Sequence, residues 1–172
     1  DFFFAWGLEQ GDNSLSDSFE MSMDQIPEKV SPTFRPTNGF PFFGDFIYSI
    51  YFTENGVIVL SRENERKVGL AYPPIGGITI NYPRKVIAPY WADSDLSNSD
   101  IGEVYYSIYS SNIETVSDRD REMLSNGTDR VRTFQNKTLP SDQIISDFVA
   151  NWMLVVTWDK VPQYPVDSNT DK

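Results

Sequence analysis

Residues 40–61 read FPFFGDFIYSIYFTENGVIVLS and carry the strongest β-sheet signal of the chain. Aromatic and β-branched residues, which favour strands, fill both sides of the dipeptide Asn55-Gly56. Asn and Gly tolerate the positive φ angles of a tight type I′ turn, so this dipeptide between two such runs is a strong hairpin signal. The sequence therefore predicts a β-hairpin here, as the first hairpin of a β-rich core.

Further strands and helices follow towards the C-terminal end. Residues 103–109, EVYYSIY, have high β propensity, and residues 152–158, WMLVVTW, form the continuous apolar run of a buried strand. Ser117 precedes acidic residues, as the N-cap of a helix does, and predicts that a helix begins there. The apolar stripe of this predicted helix is interrupted at Asn126-Gly127. Apolar residues at helical spacing after Ser141 predict a second helix.

The composition is that of a folded domain. The chain has 172 residues, of which 40% are hydrophobic and 15% aromatic, which is far too apolar for a disordered chain. We therefore expect a mainly β (α+β) fold over residues 1–172, as a single domain. Its core is predicted to be antiparallel and sandwich-like, with one or two helices between residues 117 and 149.

Charge and residue usage exclude several classes of function. A net charge of −11 and a pI near 4.3 argue against nucleic acid and anionic lipid as partners, because like charges repel. No apolar run approaches the roughly 20 residues needed to span a bilayer. The chain has no Cys and no His, which removes thiol nucleophiles, imidazole bases and the usual zinc sites. No cofactor is predicted.

Four stretches resemble blocks of the nidogen-type extracellular (NIDO) domain. Residues 40–44, FPFFG, together with the Asn55-Gly56 turn, resemble its opening block. Residues 86–95, VIAPYWADSD, resemble its second block, and residues 152–161, WMLVVTWDKV, its third. Residues 7–12, GLEQGD, resemble its N-terminal entry.

The resemblance implies a secreted, extracellular glycoprotein module with a structural or adhesive role and no catalytic residues. A matrix or cell-surface ligand is the partner that it implies. The family's domain normally continues past the third block, so we expect the C-terminal part of the domain to be missing. Other segments or chains, or a second copy, are then expected to complete the fold. The first residue, Asp1, is expected to mark a processed product or a fragment.

One acidic cluster is a candidate Ca²⁺ site. Asp93, Asp95 and Asp100 lie close in sequence, with Glu103 beyond them, and hard cations prefer clustered carboxylates. Their spacing does not fit an EF-hand loop, however. A solvated loop with Asx turns explains the same residues. We therefore do not prefer a metal site over such a loop.

Two N-glycosylation sequons are candidate modification sites. Asn126 begins Asn-Gly-Thr and Asn136 begins Asn-Lys-Thr. Both lie in the polar region 112–140, where a glycan can be accommodated.

Two other functions are alternatives to a structural or adhesive module. A lectin-like domain stacks tyrosine faces on sugars, and the tyrosines of the predicted strands are candidates for this: Tyr48, Tyr51, Tyr105, Tyr106 and Tyr109. Packing across strands explains the same residues. A glycoside-acting enzyme needs two carboxylates about 5–9 Å apart, and 25 acidic residues always supply some such pair.

Overall fold

The computed structural model describes residues 4–25, 27–79, 82, 84–97, 101–111 and 116–164. Ten strands and two α-helices lie in these residues, with 3₁₀ turns at Leu8–Gln10 and Ser141–Gln143. In chain order they are β1 (Asn13–Ser14), α1 (Leu15–Ser18), β2 (Glu20–Met21), β3 (Lys29–Val30), β4 (Phe40–Phe42), β5 (Asp45–Ile47), β6 (Ser49–Phe52), β7 (Ile58–Ser61), β8 (Lys85–Ile87), β9 (Glu103–Ser110), α2 (Asp118–Thr138) and β10 (Trp152–Asp159). The sheets contain antiparallel pairs, and the predicted mainly β, α+β class is confirmed.

The chain divides into two compact units. The first contains Asp1–Tyr106 and Val156–Lys172, and the second contains Ser107–Val155. Each is described separately below.

The predicted hairpin forms the centre of the first unit. β6 pairs antiparallel with β7, with Phe52 opposite Ile58, and β7 pairs in turn with β8. On the other side of β6, Phe34 and Ile50 exchange backbone hydrogen bonds of 2.7 and 2.9 Å. Strand β6 is therefore covered along both edges.

The turn of this hairpin differs from the predicted two-residue type I′ turn. Thr53 N–H donates to the Val57 carbonyl at 2.9 Å, so the loop has three residues, Glu54, Asn55 and Gly56. Gly56 has a φ of +80°, as in a type I turn closed by a left-handed residue. The difference follows from the surroundings, because Asn55 is fully buried and its side chain is used for tertiary hydrogen bonds.

Residues 40–47 form a hairpin of their own, although the sequence predicts a single hairpin over residues 40–61. β4 pairs with β5 so that Phe42 lies opposite Asp45, which leaves a two-residue turn at Phe43-Gly44. Their φ angles are +46° and +85°, and positive φ at both central residues is the condition for a type I′ turn. The tight turn expected at Asn55-Gly56 is thus found twelve residues earlier.

The core of the first unit lies on both faces of β6. Successive residues of a strand point to opposite faces, and Tyr51 and Phe52 each belong to a different buried cluster. Phe52 packs against Tyr106 and Trp158, with ring centroids 5.2 and 6.2 Å apart. The apolar blocks predicted to be strands therefore supply the core.

The second unit contains the long helix α2. Ser117 caps it as predicted, since its side chain accepts a hydrogen bond from Asp120 N–H at 3.0 Å. The helix runs without interruption through Asn126-Gly127, where a break in the stripe was expected. At Gly127 an added Cβ would lie 2.9 Å from the sulfur of Met153, so the small residue permits close packing there.

The second helix, predicted from Ser141 to Val149, is absent. Only the 3₁₀ turn at Ser141–Gln143 forms, and the chain is extended at Ile144. Tertiary hydrogen bonds compete with the helix, because Arg132 Nε donates to the Phe148 carbonyl at 3.0 Å and Ala150 N–H donates to Thr128 Oγ1 at 3.0 Å.

Strands β9 and β10 confirm the two C-terminal strand predictions. β9 lies between β1 and β10 in a three-stranded sheet. Every residue of β10 is half-buried, whereas its apolar run was predicted to be fully buried.

An acidic cavity beside a buried turn as candidate functional site

The carboxylate of Glu54 closes the β6–β7 turn against two other segments. Its Oε1 accepts a hydrogen bond from Lys29 N–H at 2.6 Å, and its Oε2 accepts one from Leu96 N–H at 2.9 Å. The side chain is 4% exposed, so the two backbone donors compensate for the loss of water around the charge. Glu54 therefore has a structural role.

Asn55 connects the same turn to two more segments. Its Oδ1 accepts from Ser94 N–H at 2.7 Å, and its Nδ2 donates to the Gly69 carbonyl at 3.0 Å and to Glu28 Oε2 at 3.3 Å. A buried amide has few free positions, and this one uses both its oxygen and its nitrogen. One side chain thus holds the loops around residues 28, 69 and 94.

The three family-like blocks meet at this turn. In the second block, Ala92 N–H donates to the Asn55 carbonyl at 3.3 Å, and the backbone of Tyr90 contacts Gly56 so closely that no Cβ fits there. In the third block, Trp158 Nε1 donates to the Thr53 carbonyl at 3.0 Å. The three blocks, which are separated in the sequence between residues 40 and 161, therefore come together at this turn.

A cavity of about 700 Å³ opens beside the turn. Ligand sites commonly have such a volume. Its walls carry five carboxyl groups and three tyrosines, namely Asp24, Glu28, Glu54, Asp93, Asp95, Tyr72, Tyr82 and Tyr164. The Tyr72 hydroxyl donates to Asp93, which raises the pKa of the tyrosine. The cavity therefore presents negative charge together with aromatic faces.

Glu28 has an altered protonation equilibrium in this cavity. Its pKa is raised to about 7, chiefly by burial and in addition by the neighbouring charges of Glu54 and Asp93, while the Asn55 amide opposes the shift. Burial also raises the pKa of Glu54, while the backbone donors Lys29 and Leu96 lower it. Burial together with the mutual repulsion of the two carboxyl groups therefore favours the protonated form of Glu28.

The candidate Ca²⁺ ligands are placed only in part. Asp93 and Asp95 both line the cavity, and Asp95 Oδ1 accepts from Ser97 N–H at 2.7 Å in the Asx turn of the alternative interpretation. Asp100 lies outside the described residues. Glu103 does not line the cavity, since its oxygens accept from Ser14 Oγ at 2.7 Å and Ser16 N–H at 3.3 Å. Among the residues described, no three acidic side chains are arranged to hold a metal ion.

Both sequon asparagines lie on exposed positions of α2 in the second unit. Thr128 of the first sequon is buried, and its Oγ1 donates to the Leu124 carbonyl at 2.7 Å. Thr138 of the second is exposed, and its Oγ1 donates to the Phe134 carbonyl at 2.7 Å. Asn126 and Asn136 stay predicted glycosylation sites.

The strand tyrosines are mostly core residues. Tyr51, Tyr106 and Tyr109 are buried and Tyr105 is half-buried. Tyr48 alone of the five is exposed, by 54%. The tyrosines that could meet a ligand are instead Tyr72 and Tyr164 of the cavity, which the sequence analysis did not single out.

A second surface feature is the turn of the β4–β5 hairpin. Phe43 is 94% exposed and Phe46 62% exposed. At the base of this turn, Asp45 forms an ion pair with Lys85, beside a smaller cavity of about 330 Å³ that Arg62 and Arg84 also line. Phe40–Gly44 was recognised in the sequence as part of a block, but not as a projecting turn.

The nidogen-like domain family model matches residues 48–172. With its antiparallel sheets, its helix α2 and a turn at which the family-like blocks converge, the chain belongs to the nidogen-like domain family, and is an extracellular module of the adhesion and matrix type. The resemblance seen in the sequence is thereby confirmed.

Two curated relatives are mucins. The chain is similar to mouse Mucin-4, with 31% identity over 162 residues that cover 94% of this chain and 4% of the relative. It is similar to human Mucin-4, with 29% identity over 136 residues that cover 79% of this chain and 2% of the relative.

A third relative is mouse Alpha-tectorin, with 29% identity over 129 residues that cover 75% of this chain and 5% of the relative. The chain thus spans only a few hundredths of the length of the curated relatives it matches. No solved structure matches the chain. Within the described residues, no helix has both the length and the apolar character needed to cross a membrane.

Proposed function

We propose that this module is non-enzymatic and acts by surface recognition or self-assembly within an extracellular adhesion or matrix protein. The observation that carries the proposal is the exposed turn at Phe43. A bulky residue with positive φ costs of the order of 1–2 kcal/mol, and Phe43 recovers none of this by burial, since it is 94% exposed. A contact with another molecule compensates for that cost.

The carboxyl groups of the cavity support a non-enzymatic role. Both oxygens of Glu54 accept backbone hydrogen bonds, and Glu28 is hydrogen-bonded to it directly. Glycoside hydrolysis uses two carboxyl groups that are about 5–9 Å apart, with substrate or water between them. The Glu28–Glu54 pair instead stabilises the turn.

The extent of the domain and its partners belong to the same proposal. Residues 1–172 act as one domain whose fold other segments or chains complete. The support is β10, whose apolar residues are all half-buried although their run is typical of a strand covered on both faces. A matrix or cell-surface ligand is a further partner.

The test is a binding experiment with the purified chain. We expect it to self-associate in sedimentation, or to be retained on surfaces coated with extracellular-matrix proteins, and to leave chromogenic glycosides unhydrolysed. The proposal is wrong if the chain neither self-associates nor binds such a surface, or if it turns over a glycoside.

A carbohydrate-binding role is the second candidate. The specific observation in its favour is the placement of Tyr72 and Tyr164, exposed by 68% and 55%, at an acidic cavity of about 700 Å³. Aromatic faces stack on sugar rings, while carboxylates accept from their hydroxyls. Binding on a glycan array that is lost in Tyr72→Ala would favour this role, and an array without signal would remove it.

A further inference from the structure

The β4–β5 turn presents an aromatic side chain in a fixed position. Phe42 and Phe43 pack edge to face with their centroids 4.8 Å apart. Phe46 lies opposite Pro41 on the neighbouring strand and is also exposed. Exposed apolar side chains that are held by a tight turn need little ordering when they bind.

Charges of both signs lie at the base of this turn, where Arg84 pairs with Glu65 at 2.7 Å and Arg62 adds a further cation. Lys85 is paired with Asp45 and holds the pKa of that carboxyl below its usual value, and the exposed Arg62 adds a smaller effect in the same direction. The chain as a whole is strongly acidic, with 14 basic against 25 acidic residues. Arg62 thus lines the same small cavity as the exposed Phe46, next to the Phe43 turn.

The acidic cavity has the complementary character. It offers the carboxyl groups of Asp24, Asp93 and Asp95 together with the rings of Tyr72 and Tyr164. Its volume of about 700 Å³ is sufficient for a phenylalanine side chain and a neighbouring cation. Tyrosine faces also attract cations.

The two surfaces adjoin each other within the first unit. Arg84 lines both the acidic cavity and the smaller cavity beside Asp45. The aromatic surface that carries Arg62 and the acidic, tyrosine-lined surface are therefore the two halves of one patch. Such a patch is self-complementary when it meets a copy of itself across a two-fold axis.

We propose that the chain forms a symmetric dimer in which the Phe43 turn and Arg62 of each copy dock at the acidic cavity of the other. The occupant is a second copy of this chain, because charge complementarity matches the two halves of the patch to each other. Nucleic acid and anionic lipid are disfavoured, since the acidic half repels them. The inference rests on the proposed self-assembly and names the surface responsible.

The first test replaces the aromatic side chain without weakening the hairpin. Phe43→Asn creates an Asn-Gly dipeptide, which is the preferred type I′ sequence. We expect the dimer dissociation constant in sedimentation equilibrium to rise at least ~30-fold, as for a central interface residue, while the melting temperature of the dilute protein is unchanged or higher. The matched control is Phe134→Asn, which changes a 63% exposed phenylalanine of α2 and is expected to leave dimerisation intact.

The second test exchanges charges between the two halves of the patch. Arg62→Glu and Asp95→Lys are each expected to weaken dimerisation. An equimolar mixture of the two variants is expected to dimerise again, because both junctions of the mixed dimer then join opposite charges. This recovery requires the reciprocal arrangement and would not result from general charge effects.

Three results would overturn the dimer. They are a wild-type chain that stays monomeric at high concentration, a dimer that Phe43→Asn leaves unchanged, and charge variants that do not recover on mixing. Retention of a monomeric wild-type chain on matrix-coated surfaces would overturn the dimer and leave the proposed recognition function standing. Absence of both self-association and matrix binding would overturn both.

Discussion

Asn55 Oδ1 accepts a hydrogen bond of 2.7 Å from the backbone N–H of Ser94, 39 residues further along the chain. The same amide donates to the Gly69 carbonyl. Asn usually lies in an exposed turn, but Asn55 is fully buried here. The hydrogen bonds of its side chain take the place of backbone pairing between three segments.

Replacing this amide should destabilise the first unit. Asn55→Ala leaves Ser94 N–H and the Gly69 carbonyl buried without partners, and each such loss costs about 1–3 kcal/mol. We expect the free energy of unfolding to fall by about 3 kcal/mol in urea denaturation. Asn38→Ala, at an exposed turn residue, is the control and should change it little. Equal effects of the two substitutions would contradict the role assigned to Asn55.

Gly56 should tolerate no side chain. Its φ of +80° disfavours an L residue, and an added Cβ would overlap the backbone of Tyr90. Gly76 has a similar φ of +85° but no atom within 4 Å of an added Cβ. Gly76→Ala therefore measures the backbone cost alone, about 1 kcal/mol, and Gly56→Ala should cost clearly more. Similar melting temperatures for the two variants would show that Tyr90 moves away from the added Cβ without a loss of stability.

Stability should depend on pH through Glu28. Its pKa is raised in the folded protein from 4.5 to about 7, so the folded state binds a proton that the unfolded state releases between these values. The stabilising contribution is complete below about pH 4.5 and is lost as the pH rises through about 7. Glu28→Gln, which stays neutral, should remove this dependence and be more stable than wild type at pH 8.

Melting temperatures across this pH range provide the measurement. Glu122→Gln, at an exposed position of α2, serves as the control and should follow wild type. Parallel curves for wild type and Glu28→Gln would show that the pKa of Glu28 does not change on folding.

At the first sequon, two substitutions should both remove the glycan, and only one of them should also lower the stability of the protein. In protein secreted from eukaryotic cells, Asn126→Gln and Asn136→Gln should each remove one N-glycosidase-sensitive mass increment without destabilising α2, because both asparagines are exposed. Thr128→Ala should remove the first glycan and also lower the melting temperature, since Ala150 N–H loses its acceptor. Absence of any mass shift in wild-type protein would contradict both sites.

Local sequence patterns predicted the strands well and their surroundings poorly. Strands β6 and β9 could be recognised from the alternating and β-branched residues within each strand alone. The turn at Asn55 was predicted with the wrong geometry because the hydrogen bonds that hold it come from residues 69 and 94. The apolar spacing after Ser141 favoured a helix, but Arg132 and Thr128 take up the backbone groups that a helix would use.

The candidate site was only partly visible in the sequence. Asp93 and Asp95 belong to the acidic cluster predicted together with Asp100, whereas Glu28 lies 65 residues before Asp93, and no local pattern places it in the same cavity. The exposure of Phe43 was also hidden, because four aromatic residues within 40–46 favour a strand that buries them. Side chains that depend on long-range contacts escape single-sequence reasoning.

The Trp158–Thr53 hydrogen bond also bears on how the protein reaches its fold. It joins residues 105 positions apart, so the β6–β7 turn acquires its full set of partners only when the third block has been synthesised. Proteins dominated by such distant contacts fold slowly. A ribosome-bound chain that ends before Trp158 would therefore hold the hairpin with its polar turn incompletely paired, and we expect such intermediates to be sensitive to proteases until the last strand emerges.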